Sequence, residues 1–208
     1  VIFIVRHGEG FHNVAESLYG TEDWDNYWSK LYNDGNITWG PDAMLTDKGI
    51  DQAKYAGEVW ENELRKGAPI PQSFYSSPLS RSADTLRYTW PNVKAQFIEN
   101  LRETYGVHTC DMRRTASYLK HRYPLWTFET KFSEDDLLWD PDVRETDEHQ
   151  QHRVRTFLRE VFTKDTSKYV SITAHSGTIR ALLSVIGHPE RTVLPGGMIS
   201  VVVRARSS

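Results

Sequence analysis

The chain of 208 residues carries 25 Lys and Arg against 28 Asp and Glu, a formal charge of -3, and its length suits one domain with a sizeable core. No overall basic surface points to nucleic acid, and no apolar run approaches the length that crosses a membrane. The single cysteine, Cys110, excludes an intramolecular disulfide and, with no signal peptide visible, points to a cytoplasmic location, although the chain opens on Val1 inside a strand pattern and a preceding segment can have been removed.

Residues 1–5 are apolar and mostly β-branched, the pattern of a fully buried strand. The strand stops at Arg6, His7 and Gly8, which sets a cation, an imidazole and a flexible glycine where it reaches the surface. Ligands of open α/β sheets bind at the carboxyl ends of strands, so a neutral His7 can act there as a nucleophile while Arg6 draws in an anion. Taken alone, such a pair is more often an ordinary strand end. Residues 11–45 form a first insertion, long and irregular, with Tyr19, Trp24, Tyr27, Trp28, Tyr32 and Trp39 among Asp, Asn and Gly. So many aromatics argue against disorder, and partly helical structure is expected around 24–32, over the end of the first strand. These aromatics either cover the site or pack as a satellite cluster beneath the loop.

A helix follows, capped by Thr46, with Ala53, Ala56, Val59, Trp60 and Leu64 on its apolar face and Gly67 and Pro69 at its end. Residues 74–76 read as a short strand. Residues 79–88 read as a helix with Arg81 in its first turn, where free N–H groups and a guanidinium fork both suit an anion, a solvated arginine being the plainer alternative. A short strand at 97–98 leads to Leu101, Arg102 and Glu103. The second insertion, 104–145, holds Cys110 to Arg114, a helical 117–122 and an acidic, aromatic stretch around Trp126, Trp139 and Asp140. Residues 147–163 form an amphipathic helix with Val154, Phe157, Leu158, Val161 and Phe162 inward. His149 and His152, one turn apart on it, read as solvated surface and not as a metal pair. Residues 169–174 are a buried strand that again ends in a histidine, His175. Ser176 and Gly177 turn into a helix over 178–186, closed by Gly187 and Pro189, and 198–203 is the last strand. Alternating strands and helices without a linker predict a three-layer α/β/α sandwich with a mostly parallel central sheet, one domain over 1–208.

Four stretches, in order, resemble the signatures of the histidine phosphatase superfamily, the phosphoglycerate-mutase-like proteins. They are Arg6, His7, Gly8 and Glu9 followed by Asn13; residues 76–85, from Ser76 to Thr85; Leu101, Arg102 and Glu103 with Gly106 after them; and His175, Ser176 and Gly177. The resemblance spans nearly the whole chain and implies a phosphoglycerate-mutase-like fold. It implies that His7 attacks phosphorus to give a phosphohistidine that water then hydrolyses, one hard displacement split into two. Glu103 is implied as the acid that protonates the leaving alkoxide, and it can afterwards activate water. A hydrogen bond from the other ring nitrogen of His7, to a backbone carbonyl, would set its tautomer. Arg6, Asn13, Arg81, His175 and Ser176, with the backbone N–H groups that follow His175, are implied to hold the phosphate oxygens.

Two arginines and two histidines supply the positive charge often left to metals, so neither metal nor cofactor is expected. Ser176 stands where the acid-phosphatase members carry an aspartate, which points to the mutase/bisphosphatase-like branch. The familiar mutases have Ser and Trp where this chain has Gly10 and His12. The expected activity is therefore metal-independent hydrolysis of a small-molecule phosphomonoester, with no nucleic-acid or membrane partner. A cofactor-dependent phosphoglycerate-type mutase and a non-catalytic phosphate-binding scaffold are the alternatives. If Glu103 is not the acid, Asp111 and Glu9 are next in reach. Residues 134–136 and 140–142 would disfavour a second large anionic group if they line the site.

Overall fold

Alternation along the first strand sorts the chain into layers. In the computed structural model, which describes residues 1–205, β1 (Ile2–Arg6) turns Ile2 and Ile4 to one side. There they pack with Val154, Phe157 and Leu158 of α6 (Asp147–Lys164) and with Ile179 and Leu182 of α7 (Ser176–Val185). Phe3, on the other side, meets the edge of Trp60 from α3 (Asp47–Arg65), ring centroids 4.9 Å apart, and α4 (Ser80–Thr89) packs beside α3. Each large apolar side chain buried this way contributes about 1.5–3 kcal/mol. The remaining strands are β2 (Ser73–Ser76), β3 (Gln96–Phe97), β4 (Thr127–Phe128), β5 (Val170–Ala174) and β6 (Met198–Val201). The sheet order is β4-β3-β2-β5-β1-β6, parallel throughout except for β6, which runs antiparallel to β1. The architecture is the expected three-layer α/β/α sandwich.

Thr46 caps α3, its hydroxyl accepting from the Gly49 N–H at 3.0 Å. Residues 11–45 are more helical than the sequence suggested: α1 (Phe11–Tyr19) and α2 (Thr21–Asn26) precede a 3-10 turn at Trp28–Lys30. Phe11, Val14, Ala15 and Leu18 have helical spacing, yet Phe11 and Leu18 are exposed, so α1 carries no continuous core stripe. Most of the aromatics settle into the satellite cluster, where Trp24 and Trp39 are buried with Ala15, Ala43 and Cys110. The two-residue β4 adds an edge strand that no apolar alternation announced, and α7 starts at Ser176, two residues earlier than expected. Phe162 is 42% exposed instead of facing inward, because the core stripe of α6 ends at Val161.

The 104–145 insertion contains only α5 (Ala116–Arg122), β4 and a 3-10 turn at Thr109–Asp111. Buried guanidiniums hold the rest. Arg102, fully buried, forks Asp136 at 2.7 and 2.6 Å and donates to the Asp111 carbonyl at 2.8 Å. Arg113 donates to the carbonyls of Ser133 and Asp135 at 3.0 and 2.8 Å. Arg153 reaches the Asn100 and Arg102 carbonyls, each at 2.8 Å, and the Glu145 carboxylate at 2.7 and 2.8 Å. The acidic stretch is thereby used inside the loop. Asp136 neutralises Arg102, and Asp140 accepts from the N–H groups of Asp142 and Val143.

Candidate active site

Strand register brings the two histidines together. In the parallel β1–β5 pair Arg6 lies opposite Ala174, so the next residues, His7 and His175, leave the sheet side by side. The His7 N–H donates to the Ala174 carbonyl at 3.0 Å, and the two imidazole centroids are 5.0 Å apart. On the other side of β5, Ser76 pairs with Thr173, and the Ser77 hydroxyl reaches His175 Nε2 at 2.7 Å. His7 is 2% exposed, and its Nδ1 lies 2.6 Å from the Gly8 carbonyl. A carbonyl only accepts, so Nδ1 carries the proton and Nε2 keeps the lone pair. The Gly8 N–H donates to the Thr85 hydroxyl at 2.9 Å, which ties this loop to α4. The loop also lies so close to α3 that a Cβ at Gly8 would run into the Gly49 backbone.

Arg6, His7, Asn13, Arg81, Glu103 and Ser176 line one cleft of about 230 Å³. His175 packs against His7 from behind and is fully buried. Burial, reinforced by Arg81, pushes His7 and His175 well below the usual imidazole range. Both are therefore neutral, as attack by His7 requires; the positive charge expected of two arginines and two histidines together comes from the arginines of the cleft alone. Arg81, fully buried, donates to the Cys110 carbonyl and to Asp111, each at 2.7 Å. Arg6 donates to the Val193 carbonyl at 2.9 Å. Arg6 Nε, Arg81 Nε and His175 Nδ1 are buried with no partner in the protein, a combination of polar atoms suited to an anion. Asn13 uses its side-chain oxygen on the Gly10 N–H at 3.0 Å. Ser176 is the first residue of α7, whose free N–H groups add to the same potential.

Glu103 sits across the cleft mouth, held by backbone. One carboxylate oxygen accepts from the Thr104 N–H at 2.9 Å. The other accepts from the Gly177 N–H at 3.0 Å and from the Ser176 hydroxyl at 3.3 Å. A Cβ at Gly177 would displace this carboxylate from its present position. The two alternative acids fall away. Asp111 bridges Arg81 and Arg144, which outweigh burial and keep its carboxyl below the usual range. Glu9 pairs with Lys48 at 2.7 Å, outside the cleft. Residues 134–136 and 140–142 do not line it either.

His108, Cys110 and Asp111 present ligand-type atoms within 4.8 Å of one another. A cation there would face Arg81 and Arg144, and burial, followed by the Asp111 charge, pushes the Cys110 thiol up and keeps it protonated. The donor set does not fit a metal ion. The cleft also contains His12, His108 and Arg144, which sequence reasoning did not assign to it, and, of the aromatics expected over the end of the first strand, Trp24. The change at position 12 was the one signal available. Arg144 arrives by loop folding, its guanidinium holding the carbonyls of Thr104 and Gly106 at 2.7 Å each.

A family model described as the histidine phosphatase superfamily (branch 1) matches residues 28–195, a span that starts after the strand carrying His7. The chain is 45% identical over 216 aligned residues to a protein of Arthroderma benhamiae named "Probable phosphoglycerate mutase", covering 100% of this chain and 64% of that one. It is 34% identical over 207 residues to "Phosphomutase-like protein 3" of Candida albicans, covering 98% and 65%. The chain thus spans about two thirds of the length of these relatives, 64% and 65%. Among solved structures, a phosphoserine phosphatase from Entamoeba histolytica in complex with 3-phosphoglyceric acid superposes with a TM-score of 0.55 at 16% identity, over 95% of this chain and 87% of that one. A phosphoglycerate mutase from Thermus thermophilus superposes with a TM-score of 0.53 at 21% identity, over 95% and 90%. At such identities the likeness is one of fold.

Proposed function

Since this chain belongs to the histidine phosphatase superfamily, branch 1, we propose that it hydrolyses a small-molecule phosphomonoester, without a metal ion, through a phosphohistidine on His7. The observation that carries this reading is the His7 tautomer. The Nδ1–Gly8 bond leaves Nε2 with its lone pair in a cleft lined by Arg6 and Arg81. Nε2 attacks phosphorus in line as the ester P–O bond breaks, and Glu103 gives its proton to the departing alkoxide. Arg6 and Arg81 offset the charge on the phosphoryl oxygens, and Asn13, His175, Ser176 and the α7 N-terminus fix their orientation. The low proton affinity of His7 and the arginine charge come from this chain's own packing, which supports chemistry without a metal. The narrow, polar cleft suits a small hydrophilic substrate.

The test is to incubate the full chain with a panel of phosphomonoesters, measure inorganic phosphate and trap acid-labile label on histidine. Phosphate release that withstands chelators is expected; activity lost on chelation and restored by one divalent metal would overturn the metal-free mechanism. The name of the Arthroderma benhamiae relative favours a second reading, isomerisation of phosphoglycerate. Transfer of label between phosphoglycerate positions without net phosphate release would establish that reading instead.

A further inference from the structure

Among the titratable groups of the cleft that have no part in the mechanism above, one is a histidine beside the nucleophile. His12, on α1, lines the same cleft as His7, with ring centroids 5.4 Å apart and planes tilted by 51°. His7 is thus flanked by two imidazoles, His175 and His12. Ser77 holds His175, whereas His12 Nδ1 is buried with no partner in the protein. The ring is placed by shape. Gly10, the residue before α1, has a φ of -105°, open to any amino acid, so its backbone does not call for glycine. A Cβ there, however, would lie 2.7 Å from both Cε1 and Nδ1 of His12 and 3.2 Å from the Met44 carbonyl oxygen. Gly10 makes room for the imidazole of His12, and the two departures from the familiar mutases are one structural feature. Burial, with Arg81 next in weight, keeps this imidazole neutral, as it does His7.

We infer that His12 is a third catalytic histidine, the base for the water that discharges phosphohistidine from His7. The inference rests on the phosphohistidine reading. Water oxygen bonds to phosphorus as the P–Nε2 bond of His7 breaks and its electron pair returns to Nε2. The water proton passes to the lone-pair nitrogen of His12, which then returns it to solvent. Glu103, the acid of the first step, sits across the cleft mouth, whereas the His12 ring stands beside that of His7. A mutase must shield its phosphohistidine from water; a neutral base beside His7 does the reverse and commits the chain to hydrolysis.

The experiment phosphorylates the full chain with radiolabelled nitrophenyl phosphate, removes excess substrate, and follows loss of acid-labile label. In His12→Phe and His12→Gln the burst of nitrophenol should keep its rate to within about threefold, while the label decays on the order of a hundredfold more slowly, the usual weight of one general base. Gly10→Ser retains the imidazole but takes its space, and should slow decay in the same direction by a smaller factor. Free imidazole added to His12→Ala should restore part of the decay rate. Label that decays at the parent rate in the His12 variants overturns the inference, as does an equal loss of burst and decay, which would make His12 a phosphate ligand only. Absence of labelled histidine in the parent chain overturns the phosphohistidine reading itself, and is seen before any variant is compared.

Discussion

At the carboxyl edge of β1 and β5, side chains are placed by hydrogen-bonded backbone. The Arg6–Ala174 register sets His7 beside His175, and the Gly8 carbonyl sets the proton on His7. The 104–145 insertion meets the same cleft with little regular structure, and there side-chain guanidiniums replace the ladder: Arg102, Arg113 and Arg153 gather carbonyls and carboxylates from several turns of chain. The first region makes its imidazoles neutral by burial, and the second keeps its charges by pairing them. The His7 ring can therefore be removed without breaking the strand register, whereas each guanidinium in the insertion holds several segments at once.

The sharpest separation of the two regions comes from His7→Ala. Turnover should be lost, while thermal unfolding followed by circular dichroism stays cooperative, because strand register and not the ring holds the loop. Normal turnover would exclude His7 as the nucleophile. Next in size is Glu103→Gln, where the insertion joins the sheet edge. Hydrolysis of alkyl phosphates should slow by on the order of a hundred- to ten-thousandfold, since an alkoxide leaves poorly without a proton. The nitrophenol burst from an aryl phosphate should survive; an equal loss in both burst rates would remove Glu103 as the acid.

In the insertion, Arg102→Met keeps volume but strands Asp136, whose side chain is 7% exposed, without its partner. Removing one member of a buried pair costs about 3–5 kcal/mol, to be read from the shift of the denaturant midpoint. A shift no larger than that of a surface arginine, such as Arg155→Met, would show that the forks are not what holds the insertion.

The smallest effect is in pH. His7, His12 and His175 stay neutral in the fold below the pH at which they would charge in the unfolded chain, so the unfolded state gains protons first and stability falls as pH drops below about 6.5. Asp42 and Glu129, which burial pushes up to about 6 and about 7, hold their protons longer in the fold and oppose that fall. Comparing His12→Gln with the parent isolates one imidazole. Its stability should decline less steeply, by up to about 1.4 kcal/mol per pH unit below 6.5. Identical slopes would mean that the His12 ring charges freely in the fold.

Much of the site was legible because it is written in short local patterns. A buried apolar run that ends in Arg6 and His7, a second that ends in His175, and a capped helix start at Thr46 each depend on neighbours in sequence. The helix α1 was not: Phe11, Val14, Ala15 and Leu18 have helical spacing, but the Gly, Asn and aromatic residues around them read as irregular chain. His108 and Arg144 were not legible as cleft residues. Nothing in their sequence neighbourhood specifies the loop path, which is set by guanidinium forks closed over long separations, such as Arg102 to Asp136 and Arg144 to Asp111.

Residue order alone determined that strands end in histidine, that a glutamate follows Arg102, and that Gly10 stands two residues before His12. Protonation was decided only in three dimensions. His7 had to be neutral to attack, yet it was counted with His175 toward the pocket's positive charge; both are neutral because packing strips their water and sets Arg81 against them. Asp111 looked like a spare acid, and becomes a fixed counter-charge because two arginines close on it. Charge state depends on solvent access and on partners distant in sequence, and both exist only once the chain is folded.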